Sequence, residues 1–190
     1  VKASKVKLLS GMKQLLSVKK FLLLLGITFF LFGPNLANNV YYGIFIEAKG
    51  GTVAGIGVAF LLAVLSEIPF MRFAGQWIYK IGLLPVVLIA CAASAVRFLT
   101  YFFEPSLGFI YATSMVQGLS LGLFIPAALQ YIQGVVPAAI TVTAVTIYSA
   151  FGNGLGNWFS TFFSGILMNY YGVFHVYLLF AVMSLVASLL

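Results

Sequence analysis

The sequence predicts an all-α membrane protein of six transmembrane helices arranged as an inverted three-plus-three repeat. Hydrophobic residues make up 63% of the chain and charged residues 7%, with a mean hydropathy of +1.13, so there is too little polar surface to coat a water-soluble globule. Apolar stretches of about 20 residues, enough to cross roughly 30 Å of hydrocarbon as helices, recur along the whole length. They are continuous rather than alternating, as over residues 83–103, which argues against a β-barrel. The third observation is a spacing of glycines at the end of the second stretch that returns 90 residues later, at the end of the fifth.

The first span is expected from about Phe21 to Phe45 and the second from Gly55 to Ile78. The third follows from Leu83 to Phe103, the fourth from Leu107 to Ile132, the fifth from Ile140 to Met168 and the sixth from Val173 to the end. Short links leave no room for a soluble domain, so residues 21–190 read as one membrane module. Residues 1–20 read as a basic linker on the cytoplasmic side. Leu8, Leu9, Met12, Leu15 and Leu16 fall there at helical spacing, with Lys5, Lys13 and Lys20 largely elsewhere, which suits an amphipathic helix lying on the lipid surface as well as a plain linker. This stretch lacks the continuous apolar core and small-residue cleavage site of a signal peptide. The chain opens on Val1 rather than Met and stops at Leu190 inside an apolar run, as expected of a fragment of a longer protein.

The lysines set the expected orientation. Lys2, Lys5, Lys7, Lys13, Lys19, Lys20 and Lys80 lie on one side of the predicted membrane and Lys49 alone on the other, placing the amino terminus in the cytoplasm. The net charge of +7 is therefore mainly a topology signal, and no folded module accompanies it to suggest nucleic acid as a partner. The single cysteine, Cys91, excludes a disulfide or a cysteine-based metal site within the chain. No strand precedes the glycines and no lysine follows them as in a nucleotide-binding loop, so no cofactor is expected.

The repeat reads Gly75, Tyr79, Gly82 after the second span and Gly165, Asn169, Gly172 after the fifth. Pro34 and Pro126, and Tyr41 and Tyr131, correspond in the first and fourth spans. Three is odd, so the second copy crosses the membrane in the opposite sense, the plan on which many secondary transporters are built. In "GQWIYKIG", Gly75, Tyr79, Lys80 and Gly82 resemble the cytoplasmic glycine-acid-basic-glycine gating motif of the major facilitator superfamily, with Tyr79 where the acidic residue is commonest. The chain resembles the carboxy-terminal six-helix half of such a transporter, nearest the branch with lactose permease, phenylpropionate permease and nucleoside–proton symporters. "EIPFMRFAG" is also similar to sugar-efflux transporters.

That resemblance implies alternating access for a small organic solute, sugar-like first, with nucleosides or aromatic acids next, and proton coupling. It implies as partners the bilayer, protons, and an amino-terminal six-helix half or a second copy, in a bacterial plasma (inner) membrane. Arg97 in "SAVRFL" matches the arginine this branch uses in proton coupling. Gln117, Ser120 and Asn153 stand where lactose permease has a histidine, a glutamate and a lysine, and Glu67 lies one turn from its sugar-contacting glutamate.

The residues support candidates independently of the resemblance. A charge in mid-bilayer costs at least about 2.5 to 3.5 kcal/mol, so such residues usually face a cavity or a partner. Glu67 lies roughly 16 Å and Arg97 roughly 21 Å from the cytoplasmic ends of their helices, deep enough to pair or share water, whereas Arg72, roughly 9 Å in, snorkels to the headgroups. Both deep residues are proton-coupling candidates, with a structural ion pair as the alternative. Asn35, Asn38 and Asn39 follow Gly33-Pro34, where a broken or kinked helix would free carbonyls beside three amides, a candidate substrate face. Gln117, Asn153 and Asn157 are further cavity candidates, with interhelical hydrogen bonding as the alternative. Two other classes fit six helices: a channel or assembly subunit, and an intramembrane protease built on Ser164 and His175.

Overall fold

A computed structural model of the chain describes residue 15 and residues 17–190, so the proposed amphipathic linker helix lies almost entirely outside the described residues. The fold is helical, with no strand among the described residues. Helix α1 spans Lys19–Ala48, α2 Val53–Ile81, α3 Leu83–Phe102 and α4 Leu107–Val135. A 3₁₀ turn (Ala138–Ile140) leads into α5 (Thr141–Ser149), a π-helical segment (Ala150–Gly156) and α6 (Asn157–Tyr171), which together make one long apolar passage. Helix α7 (Val173–Leu189) closes the chain and is shorter, at 17 residues. The five longer passages are each long and apolar enough to cross a membrane.

Local chemistry explains the turns. Thr52 caps α2 by accepting a hydrogen bond from the Gly55 N–H at 3.2 Å. Gly82 and Gly172 end α2 and α6 at φ 93° and 85°, a left-handed conformation that favours glycine, and each is followed at once by the next helix. The links on one side are joined by Lys49, whose Nζ donates to the Glu104 carbonyl at 3.0 Å and lies 3.8 Å from its carboxylate. On the opposite side the Tyr131 hydroxyl donates to the Lys20 carbonyl at 3.3 Å, tying the end of α4 to the start of α1.

The principal packing runs α2 along α4, α1 against the π segment, α6 and α7, and α3 against α7 and α4. Two buried clusters fill the bundle. One joins Phe21, Leu25, Cys91, Phe124 and Ala127 near the lysine-bearing end; the other joins Tyr42, Phe45, Phe98, Tyr101, Tyr177 and Phe180 nearer the opposite end. In lipid the apolar surface of a helix gains little by leaving the solvent, so close backbone approach at small residues must supply much of the attraction. A Cβ at Gly33 would sit 2.6 Å from the Gly156 carbonyl oxygen, and one at Gly118 would sit 2.6 Å from the Ala63 carbonyl oxygen.

Two expectations change. α1 runs through Pro34 as one helix, so of the broken or kinked form expected there the break is absent. The Asn35 amide donates to the Leu31 carbonyl at 2.8 Å, a side-chain bond made within the turn where proline has removed a backbone donor. The interruption falls instead in the fifth passage, expected as one continuous helix, where Gly152, Gly154 and Gly156 weaken the α-helical turn and the chain widens into π geometry. Gly118→Ala should lower the thermal unfolding midpoint of the purified protein by the equivalent of about 1–3 kcal/mol of overpacking. Gly57→Ala, where a Cβ meets open space, should leave it unchanged or raise it.

Candidate functional site

The bundle interior holds a polar column built on α1, α3 and α7. The Asn35 amide donates to Ser94 Oγ at 2.9 Å, and Ser184 Oγ donates to the same oxygen at 3.3 Å. Asn38 and Arg97 each lie three residues further along their helices, and α1 and α3 cross in the same direction. They therefore share the next level. Both are buried, Arg97 to 3% exposure. Beyond them stand the Tyr42, Tyr101 and Tyr177 rings.

Arg97 is held by neutral groups. Its Nε donates to Tyr101 Oη at 3.1 Å, and its guanidinium lies 5.1 Å from the Tyr101 ring centroid and 5.4 Å from that of Phe98. The Tyr101 hydroxyl donates in turn to the Ile110 carbonyl at 3.2 Å, while the Thr113 hydroxyl also reaches Tyr101 Oη at 3.2 Å. Tyr42 and Ser114 share a 2.7 Å bond alongside. Arg97 Nη1, Asn35 Oδ1, the Tyr177 hydroxyl and both polar atoms of the Asn38 amide are buried without a protein partner. Such groups cost about 1–3 kcal/mol each when unsatisfied, so this is a polar level in the bundle rather than ordinary apolar packing.

Glu67 belongs to a different surface. It is half-buried where α2 meets α4, its backbone lying against Gly118 and Gly122. It makes no ion pair with Arg97; the ion pair found among the described residues is Lys49 with Glu104. The guanidinium turns inward to Tyr101, and Glu67 stays at the edge of the bundle. Gln117, beside Gly118, is also half-buried.

The fifth passage carries the remaining amides. Asn153 is exposed within the π segment, and Asn157 is half-buried one turn on, accepting a hydrogen bond from the Thr161 hydroxyl at 3.2 Å. Val40, Gly154, Asn157, Trp158 and Thr161 line an open depression of about 460 Å³, with Asn39 exposed beside Val40. The six amide candidates thus divide: Asn35 and Asn38 point into the bundle, while Asn39, Gln117, Asn153 and Asn157 keep accessible surface. Gly75, Tyr79 and Lys80 are exposed at the end of α2, directly before the Gly82 turn.

Sequence reasoning did not single out Ser94, Ser184, Tyr101 or Tyr177, and it read Ser114 only as part of a packing ridge with Gly118 and Gly122. Ser94 and Ser184 carried a signal, since they are separated by the same 90 residues as the glycine repeat. Ser164 and His175 are not hydrogen-bonded to each other. His175 packs its ring 5.6 Å from both Phe102 and Tyr171. Tyr101→Phe deletes the acceptor for Arg97 Nε and should destabilise the protein by about 1.5–3 kcal/mol, the usual range for a bond to a charged group. Thermal unfolding of the variant beside Tyr111→Phe, whose hydroxyl makes none of these bonds, checks this.

A model of the MFS_1 like family matches residues 2–179. The chain is 48% identical over 184 residues to the protein named "Uncharacterized transporter YwbF" of Bacillus subtilis (strain 168), covering 97% of this chain and 46% of that one. It is also 48% identical over 177 residues to the maltose permease of Geobacillus stearothermophilus, covering 93% of this chain and 45% of the permease. The chain therefore spans about half the length of these curated relatives. With its long apolar helices and a family match over most of its length, the chain belongs to the MFS_1 like family of major facilitator transporters.

Proposed function

We propose that this chain is one six-helix half, the carboxy-terminal one, of a transporter that moves a small sugar-like solute by alternating access coupled to protons. The observation that carries this reading is the 48% identity to a protein named maltose permease over 93% of the chain. The packing supports an inverted repeat. Exchanging the first three passages with the last three turns the α2–α4 pair into the pair between the fifth passage and α1, and returns α3–α7 to itself. The serines that meet at 3.3 Å across α3 and α7 are 90 residues apart, as a pseudo-two-fold axis through that contact requires.

On this reading the partly accessible residues of α2, α4 and the fifth passage face the other half across the transport cavity. Glu67 is the proton-coupling candidate, and Gln117, Asn153, Asn157 and Asn39 contribute solute hydrogen bonds. Asn35, Asn38 and Arg97 support that surface from inside the bundle, and Gly75, Tyr79, Lys80 and Gly82 form the cytoplasmic gate. The lysine distribution supports a cytoplasmic amino terminus, and the bacterial relatives support a plasma-membrane location.

The test is uptake of maltose and other sugars, nucleosides and aromatic acids by the full-length transporter in proteoliposomes, with and without an inward proton gradient. Gradient-driven accumulation of a sugar is expected; absence of both accumulation and exchange for every solute would overturn the transporter reading. Glu67→Gln should abolish uphill accumulation while leaving exchange measurable. Wild-type accumulation in that variant removes Glu67 from coupling.

A further inference from the structure

We propose that the lysine-bearing end of the bundle holds a specific site for an anionic phospholipid, between α1, α3 and α4. A half-open cavity of about 240 Å³ lies there, lined entirely by apolar side chains and Tyr131. Leu23, Leu24 and Ile27 form its α1 wall, Leu84 and Val87 its α3 wall, and Ala127 is on the α4 side. Leu23 and Leu84 stand at the rim, 44% and 63% exposed, so the cavity opens past aliphatic side chains as a crevice for a hydrocarbon chain does.

Charge selects the headgroup. Lys20 precedes Leu23, Leu24 and Ile27 by three, four and seven residues, the spacing that puts all four on one face of α1 with the lysine at the water end. The Tyr131 hydroxyl, itself on the cavity wall, fixes the Lys20 backbone through its 3.3 Å bond to the carbonyl. Lys19 precedes Leu23 by four residues and is likewise exposed. Neither Lys19 nor Lys20 is engaged by a carboxylate among the described residues. An acyl chain in the cavity therefore brings its phosphate to two exposed ammonium groups, each contributing about 1 kcal/mol, or fivefold in affinity. The occupant is a phospholipid of the leaflet facing the lysines, bearing net negative charge, such as phosphatidylglycerol.

Lipid binding and transport are separate readouts, so the lipid site stands or falls independently of the proposed transport function. Native mass spectrometry of the full-length transporter should find phosphatidylglycerol retained over phosphatidylcholine of the same acyl chains. Lys19→Ala and Lys20→Ala should each reduce that preference about fivefold. Leu84→Trp at the rim should displace the retained lipid although both lysines remain. Equal retention of the two lipids, a preference unchanged in the double lysine variant, or phosphatidylglycerol retained undiminished by Leu84→Trp would each overturn the site; the last would reduce the lysines to diffuse surface charge.

Discussion

The rest of the structure depends on how closely backbones approach where α1 crosses the fifth passage and where α2 runs along α4. Between helices in a bilayer there is no bulk hydrophobic drive, because lipid tails are as apolar as leucine; packing and hydrogen bonds must hold the passages together. At one crossing Gly33 meets Gly156 and Ser160, and at the other Gly118 meets Ala63, Ser66 and Glu67, with no room for a Cβ at either glycine. Both crossings combine glycine with serine, which adds polar contact to close approach. Ser66 illustrates this, its hydroxyl donating within its own helix to Ala63 at 2.8 Å and lying 3.0 Å from the Met115 carbonyl of α4.

Those crossings also determine where polar chemistry is placed. With α2 pressed on α4 and the fifth passage on α1, the four helices α1, α3, α4 and α7 enclose the column from Ser94 and Ser184 to Tyr101 and Ser114. The second and fifth passages keep most of their apolar surface outside the bundle, since only 17% of the most apolar window of each is buried, against 61% for α1. Polar residues on these two passages must therefore meet lipid, water or another bundle. On the proposed reading Glu67 and Asn157 face the transport cavity, where a carboxylate and an amide find water or a partner that hydrocarbon does not offer.

Much of this was legible in the sequence because bilayer length and apolarity are strong signals, and the starts at Leu83, Leu107 and Val173 follow turn residues. The Gly82 and Gly172 turns were legible for the same reason, as glycine is the residue a positive φ favours. Side-chain direction was not legible. One residue in a uniformly apolar helix, a rotation of about 100°, separates inside from outside without a change in composition, so Asn38 and Asn39 looked alike although one is fully buried and the other exposed. Pro34 drew attention as a break because proline removes a donor, yet a sequence does not state that Asn35 supplies a side-chain bond in the same turn. The π segment was written in three alternating glycines, a pattern that reads equally as a packing ridge.

The separation of Glu67 from Arg97 has a mechanical consequence on the proposed reading. An ion pair between α2 and α3 would bind a peripheral helix to the interior by a contact that must break whenever its carboxylate changes partner. Arg97 instead rests on Tyr101 within its own helix, and Tyr101 rests on Ile110 and Thr113 of α4. That chain of bonds lies wholly inside one bundle and involves no group on the second or fifth passage. It can persist while the bundle rocks as a body, leaving Glu67 free to exchange partners at the surface where two bundles would meet. On the proposed reading the buried guanidinium stiffens the moving part, and the Glu67 carboxylate, among the amides of that surface, carries the chemistry that movement exposes by turns to each side.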